Sequence, residues 1–313
     1  MRKKTIRALI CDPRALQAIQ QFTAPFEVRE AFSTRGALEA MGWANLIVCN
    51  PEQLYPDRIT PAMLQAALEQ WEGIWVRVET FISSPLDYQG AAAVRIGHLK
   101  ALPPKVVAVT GFGGVGKTTL VLSAARTFAR RAKLPVTAVE MDHAPSSFRQ
   151  LLTIPDRTHD FYELASLAEG EEIALPNWEG VTLVPSDVEL VLSLGEGAFR
   201  RGLSRAIERH ILTLLDLAYP HPFFSHLLER TDLVVVVALP RKDSLEKARW
   251  LMGEIRRISP EKEVKLVLNR VSFFSKLGLA GIEREADVPE VGGAWEFPPR
   301  VGRALLKAIY PGW

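Results

Sequence analysis

The sequence predicts an α/β protein: a doubly wound, mostly parallel sheet built around a phosphate-binding type of loop (a P-loop), preceded by a small α/β layer. Three observations carry that expectation. Short apolar runs alternate with stretches of helical periodicity along the chain. A glycine-rich octapeptide, Gly111 to Thr118, lies between one such run and one such stretch. Leu233-Val234-Val235-Val236-Val237 is β-branched and apolar on both faces, as a central parallel strand requires.

In the first hundred residues the pattern predicts strands over Thr5 to Cys11, Phe26 to Glu30, Leu46 to Cys49 and Ile74 to Val78. Helices are predicted over Arg14 to Phe22, Thr34 to Met41 and Pro61 to Trp71, the last with Thr60 as N-cap and Pro61 in its first turn. Ser83 to Leu102, Ala-rich and closed by Pro103-Pro104, is expected to be a helix and linker. The division is therefore 1–82, a linker over 83–104, and 105–313. In the last of these, strands are expected at Val106 to Thr110, Val136 to Val139, Val181 to Val184, Ile211 to Leu215, Leu233 to Ala238 and Val264 to Leu268, with a helix over Thr118 to Ala132.

Composition narrows the function classes. With 48% hydrophobic and 24% charged residues, the 313-residue chain can bury a sizeable core. Its 38 basic and 36 acidic residues leave a net charge of +2, so no global field draws it to nucleic acid or an anionic membrane. Cys11 and Cys49 are too few for a disulfide scaffold or a four-cysteine cluster, and a reducing cytoplasm is the expected location. The start, Met1-Arg2-Lys3-Lys4 and a short apolar run, is not read as a secretory signal, and no apolar run reaches membrane-spanning length.

The loop carries the chemistry. Gly111 and Gly116 hold the ends of a G-x-x-x-x-G-K-[ST] pattern, with Gly113 and Gly114 between them. Glycines let backbone N–H groups approach a triphosphate, and the following helix adds its positive end. Lys117 would reach the β- and γ-phosphates and the Thr118 hydroxyl would hold Mg2+. Asp142 follows a strand, where a carboxylate can position water or serve as a turn acid before Pro145 and Ser146. Asp216 ends the run Ile211 to Leu215 and is a candidate for Mg2+ through water; the same run could continue a helix from Ala198. His210, His221 and His226 fit no compact ligand spacing and are read as packing or solvated residues.

Gly113-Gly114-Val115-Gly116-Lys117-Thr118-Thr119 resembles the deviant Walker A loop, K-G-G-x-G-K-[ST]-T, of the ParA/MinD ATPases. The resemblance spans roughly 105 to 310. It includes Val184-Pro185-Ser186, the run Thr231 to Pro240 followed by Ser244-Leu245, Leu266-Val267-Leu268-Asn269-Arg270, and Trp295-Glu296-Phe297-Pro298-Pro299. It implies an ATP and Mg2+ site formed by Gly111, Gly113, Gly114, Val115, Gly116, Lys117, Thr118 and Thr119. Asn269 and Pro298 would lie at the base, and Asp142 and Asp216 would be the switch and metal acids beside Lys117. The family's signature lysine should stand at 112, where this sequence has Phe112. A phenyl ring offers no positive charge to a phosphoryl transition state, so weak or absent hydrolysis is expected.

The N-terminal third resembles a response-regulator receiver domain, with Asp12 at the end of the first strand but Asn50 at the phosphate-acceptor position. An amide cannot form an acyl phosphate, so a degenerate interaction module is expected; an unrelated small α/β domain is the alternative. A receiver-like module ahead of a ParA/MinD-like domain is the layout of CpaE/TadZ proteins, which place pilus or secretion machinery at a cell pole. That resemblance implies an ATP-dependent homodimer with protein partners. The alternative is a partitioning ATPase that binds DNA, for which Arg130-Arg131, Arg200-Arg201 with Arg205, and Arg256-Arg257 offer only local patches. The C-terminal helix, with Arg300, Arg303 and Lys307 opposite Val301, Leu305, Leu306 and Ile309, is expected to pack on the sheet and not on a membrane, where contact would be peripheral at most.

Overall fold

The computed structural model describes residues 5–93, 102–142, 146–155, 158–169, 171–272, 275, 281–291, 297–311 and 313. The chain divides into two compact units, one formed by Met1–Pro104 with Arg131–Pro135 and Glu208–Ile211, the other by Lys105–Arg130, Val136–Ile207 and Leu212–Trp313.

The first unit alternates β1 (Ile6–Ile10), α1 (Pro13–Ile19), β2 (Phe26–Glu30), α2 (Thr34–Ala40), β3 (Leu46–Val48), α3 (Pro61–Glu69), β4 (Ile74–Val76) and α4 (Val78–Ser83). Its sheet runs β2-β1-β3-β4 with every pair parallel. Helix starts follow the sequence: Asp12, Ser33 and Thr60 each accept a backbone N–H in the first turn, at 2.7, 3.1 and 3.1 Å. Ile6, Ala8 and Ile10 of β1 pack with Ile19, Phe22 and Phe81 in one core. Two expectations are corrected. Val78 opens α4 instead of ending a strand, because the Asn50 side chain accepts its N–H at 3.1 Å. The expected helix from Ser83 is a 3-10 segment over Pro85–Ala93, broken from α4 by Pro85; residues 94–101 of that stretch lie outside the described residues.

The second unit contains β5 (Lys105–Gly111), α5 (Lys117–Ala132), β6 (Val136–Met141), α6 (Ser147–Leu152), α7 (Phe161–Ser166), β7 (Asn177–Trp178), β8 (Val181–Val184), α8 (Val188–Ser193) and α9 (Glu196–Ile207). It continues with β9 (Leu212–Ala218), α10 (Phe224–Arg230), β10 (Leu233–Ala238), α11 (Lys242–Ile258), β11 (Glu263–Val271), β12 (Ala286–Pro289) and α12 (Pro299–Ile309). The sheet order is β12-β11-β10-β5-β9-β6-β8-β7, parallel except for the β7–β8 pair. β5, β9 and β10 are buried almost throughout, which explains their continuous apolar text. The strand order reverses around β5, and the carboxyl ends of β5, β9 and β6 therefore open on one crevice.

α12 belongs to this core. A Cβ on Gly302 would lie 2.1 Å from the Ser123 carbonyl, so only glycine lets α12 and α5 approach this closely. Val301, Leu305, Leu306 and Ile309 are buried, and Tyr310 and Trp313 stack on Phe128. Lys105 and Lys265 donate to the carbonyls of Ile309 and Ala308 at 2.9 and 2.8 Å, satisfying the end of the helix. Among the described residues no helix is long and apolar enough to cross a membrane.

Candidate functional site

β5 runs directly into the glycine-rich loop, and three of its glycines are required by the backbone. Gly111 has φ +154°, and a Cβ there would meet the Val237 carbonyl at 2.6 Å. Gly114 and Gly116 adopt φ +77° and +86°, left-handed values that other residues reach only under strain. Nothing lies within 4 Å of a Cβ at Gly113 or Gly114, which leaves the mouth of the loop open. The loop ends at Lys117, the buried first residue of α5, and Leu120 N–H donates to the Gly116 carbonyl at 3.1 Å to start the helix. Backbone donors, a helix N-terminus and an ammonium converge here, which is the donor set a phosphate needs.

Asp216 faces this loop from β9. The parallel register sets it beside Val109 of β5 and Glu140 of β6, so the helical alternative for residues 211–216 does not hold; α9 ends at Ile207. Its carboxylate is fully buried, and among the described residues neither oxygen accepts a hydrogen bond. The Thr118 hydroxyl lies near enough to favour the charged carboxylate. Loss of hydration pushes the Asp216 pKa up to about 7; Thr118 and Lys117 oppose that rise, while Asp142 and Glu140 add to it.

An orphaned buried carboxylate beside a threonine hydroxyl and the glycine cradle fits Mg2+ with a triphosphate. Thr118 and Asp216 would hold the ion, and the glycine loop with Lys117 would hold the phosphates. The ion would supply charge neutralisation at the β- and γ-oxygens.

The remaining acids differ in role. Asp142, half-buried after β6, acts on Asp216 through its charge. Glu140 serves the fold. It is 1% exposed and accepts from the Ser146 hydroxyl, Phe148 N–H at 3.1 Å and Ser186 N–H at 3.2 Å, tying α6 to the end of β8. Burial still raises its pKa above the usual carboxylate range. Among the described residues no cluster of three or more His, Cys, Asp or Glu could hold a metal ion, and His221 is a buried ring against Phe199 and Phe223.

A cavity of about 260 Å3 adjoins the loop, lined by Gly116, Thr119, Asn269, Arg270, Phe297 and Pro298 among others. Asn269 is aimed by an irregularity in β11, whose register against β12 shifts between Leu268 and Val271. Its Nδ2 donates to the Val115 carbonyl at 2.8 Å and its Oδ1 accepts from Arg270 N–H at 2.9 Å. The structure thus brings Gly111 to Thr119, Asp216, Asn269 and Pro298 to one crevice, with Asp142 at its edge. Trp295 and Glu296 lie outside the described residues. Sequence reasoning missed Leu151, Pro289 and Val291, which also line the cavity; Arg270 stood in the quoted run without a role.

Phe112 points elsewhere. Its ring meets Tyr219 edge-on at 6.1 Å and Trp250 at 6.2 Å, with Lys247 Nζ 5.9 Å from its centroid. Residue 112 itself carries an aromatic ring where the resemblance expects a lysine.

No protein-family model matches the chain, and no curated protein matches it in sequence. Solved structures match its fold. One is a plasmid partition protein from Borrelia burgdorferi, 18% identical, covering 65% of this chain and 98% of that one at a TM-score of 0.51. Another is the septum site-determining protein MinD from Pyrococcus horikoshii complexed with Mg-ADP, 16% identical, covering 66% and 94% at 0.52. A third is cobyrinic acid a,c-diamide synthase from Mycobacterium smegmatis with bound ADP and magnesium, 18% identical, covering 67% and 97% at 0.53. These chains share the P-loop, mostly parallel α/β fold of the ParA/MinD proteins with the chain described above.

Proposed function

We propose that this chain is an ATP-dependent switch of the ParA/MinD type, which binds ATP with Mg2+ and uses the bound state to change its self-association and its protein contacts. The observation that carries the reading is the buried, unpartnered Asp216 carboxylate facing Thr118 across the open glycine cradle. Leaving such a group without a partner costs several kcal/mol, a cost that a bound cation removes. Asn269 supports an adenine base, because after its two intramolecular bonds the amide retains one N–H and one lone pair, matching a donor–acceptor base edge.

Weak hydrolysis belongs to the same proposal, since Phe112 is committed to an aromatic cluster and supplies no charge. We read residues 1–82 as a degenerate receiver-like module. Asp12 there is bound to Arg14, and Asn50 is spent on Val78 and Glu79. With 83–104 as linker and 105–313 as the nucleotide domain, the role would be positioning or assembly of a pilus or secretion complex, as an ATP-bound homodimer in the cytoplasm or at the inner face of a cell pole. DNA partitioning is the weaker reading. Arg205 is engaged by the carbonyls of Leu164, Leu167 and Ala168, and the neighbouring acids Glu196 and Glu229, Glu179 and Glu254 pair with Arg200, Arg130 and Arg257 and offset the charge of these patches.

The test is a titration with a fluorescent ATP analogue and a hydrolysis assay on wild type, Lys117→Ala and Phe112→Lys. Wild type is expected to bind in a Mg2+-dependent way, Lys117→Ala at least about tenfold more weakly, and only Phe112→Lys to show accelerated hydrolysis. Absence of nucleotide binding by wild type rejects the reading. Rapid hydrolysis without a partner rejects the scaffold role, and salt-sensitive DNA binding only with ATP favours partitioning.

A further inference from the structure

Two segments of the site send an aromatic side chain to the same place. Phe112 follows Gly111 in the phosphate loop, and Tyr219 lies three residues beyond Asp216, just past the end of β9. Both rings meet the indole of Trp250 on α11, at 6.2 and 5.7 Å, and meet each other at 6.1 Å. Lys247, one turn earlier on α11, stands over the Phe112 ring. Phe224 closes the inner side of the group against Tyr219 at 5.1 Å.

The group sits at the rim of the fold. Trp250 is 52% exposed, while the apolar face of α11, Leu245, Ala248, Leu251 and Ile255, is buried on the sheet. A tryptophan needed only for core packing would be covered. A Cβ at Gly111 would meet the Val237 carbonyl at 2.6 Å, so the loop starts hard against β10, and Phe112 stands between that tight point and the open Gly113 and Gly114. Each aromatic pair shifts an equilibrium by roughly 2- to 13-fold, enough to bias a loop with two conformations.

We propose that Phe112, Tyr219 and Trp250 couple occupancy of the phosphate loop to the outer face of α11, so that Trp250 and Lys247 display the nucleotide state on the protein surface. The proposal rests on the nucleotide-binding reading. A ligand shifts such an element only by interacting differently with its two arrangements, and the coupling is reciprocal, so disturbing the cluster also alters nucleotide affinity.

The chain has seven tryptophans, so the Trp250 signal is taken as the difference between wild type and Trp250→Phe. Tryptophan emission is followed while ATP and Mg2+ are titrated, and binding is measured separately with a fluorescent ATP analogue. A nucleotide-induced emission change is expected in wild type, lost in Trp250→Phe and Phe112→Ala and retained in Phe112→Tyr, which keeps the ring. Phe112→Ala and Trp250→Ala should each change the nucleotide Kd by roughly 2- to 13-fold, and the double variant by less than the product of the two. Trp250→Ala alters an exposed position, so it keeps the test decisive if Phe112→Ala does not fold. If the analogue binds but wild type and Trp250→Phe give the same emission change, the coupling is overturned and the binding reading stands. If the analogue does not bind, both fail.

Discussion

The side-chain amide of Asn269 donates to the carbonyl of Val115 at 2.8 Å, joining the end of β11 to the middle of the phosphate loop across 154 residues of sequence. A Cβ at Gly116 would stand 2.5 Å from the same nitrogen. The residue proposed to read the base therefore also holds the loop. Asn269→Ala should weaken nucleotide binding by more than the loss of one base contact, about tenfold to a hundredfold, since loop order and base contact go together. Gly116→Ala, which adds a clash to a left-handed backbone, should abolish binding with the fold retained. Titration with a fluorescent ATP analogue, alongside circular dichroism, checks both outcomes.

What the sequence made legible was local. The strands at Val181–Val184 and Leu233–Ala238 stand where their apolar text put them, and Gly111, Gly114 and Gly116 occur where the backbone needs positive φ. Asp216 was ambiguous because Leu212-Thr213-Leu214-Leu215-Asp216 is apolar enough to serve as a buried strand or a helix. The neighbours β5 and β6, distant in sequence, decide it. β7 and β12 escaped notice, being a two-residue edge strand and a four-residue strand ending in proline. The destination of the Phe112 ring was equally hidden, since Tyr219 and Trp250 come to it through tertiary packing alone.

The close approach of Gly302 to Ser123 makes a stability prediction independent of nucleotide. In Gly302→Ala the new methyl would overlap the Ser123 carbonyl and the Thr127 hydroxyl, at 2.1 and 2.4 Å. Backbone cannot retreat as a flexible side chain can, so α12 must shift and uncover Leu305 and Leu306. A loss of about 2–4 kcal/mol is expected, read as a lower midpoint in urea in the absence of nucleotide.

Asn50 supplies a test of the N-terminal unit. Its Nδ2 donates to Glu79 at 2.9 Å and its Oδ1 accepts Val78 N–H at 3.1 Å. The amide thus links the end of β3 to the start of α4, and its donor lowers the Glu79 pKa. Asn50→Asp restores the acid that a receiver would carry but sets two carboxylates side by side. We expect a lower midpoint in urea at neutral pH, and no acyl phosphate on incubation with acetyl phosphate. Mass spectrometry showing an added phosphoryl group on the wild-type protein would overturn the degenerate-module reading.

The buried carboxylate of Asp216 fixes the sign of a pH dependence. Its ordinary pKa is 3.8 and burial raises it to about 7 in the folded chain. Between those values the folded state holds a proton that the unfolded state has released. The stabilisation is therefore complete below about pH 4 and is lost as pH rises through about 7, an effect of roughly 4 kcal/mol. Glu140, also raised by burial, acts with the same sign. Asp216→Asn should therefore stabilise the nucleotide-free protein at about pH 8 and flatten its stability between about pH 4 and 7, while losing Mg2+-dependent nucleotide affinity. Bound Mg2+ favours the carboxylate, so wild-type binding should release a proton below about pH 7 and tighten toward about pH 8. Melting curves of the two proteins at both pH limits check the first outcome, and calorimetry in buffers of different ionisation enthalpy checks the second. A wild-type melting temperature that follows the same pH profile as that of Asp216→Asn from about pH 5 to 8 would show that burial does not raise the Asp216 pKa.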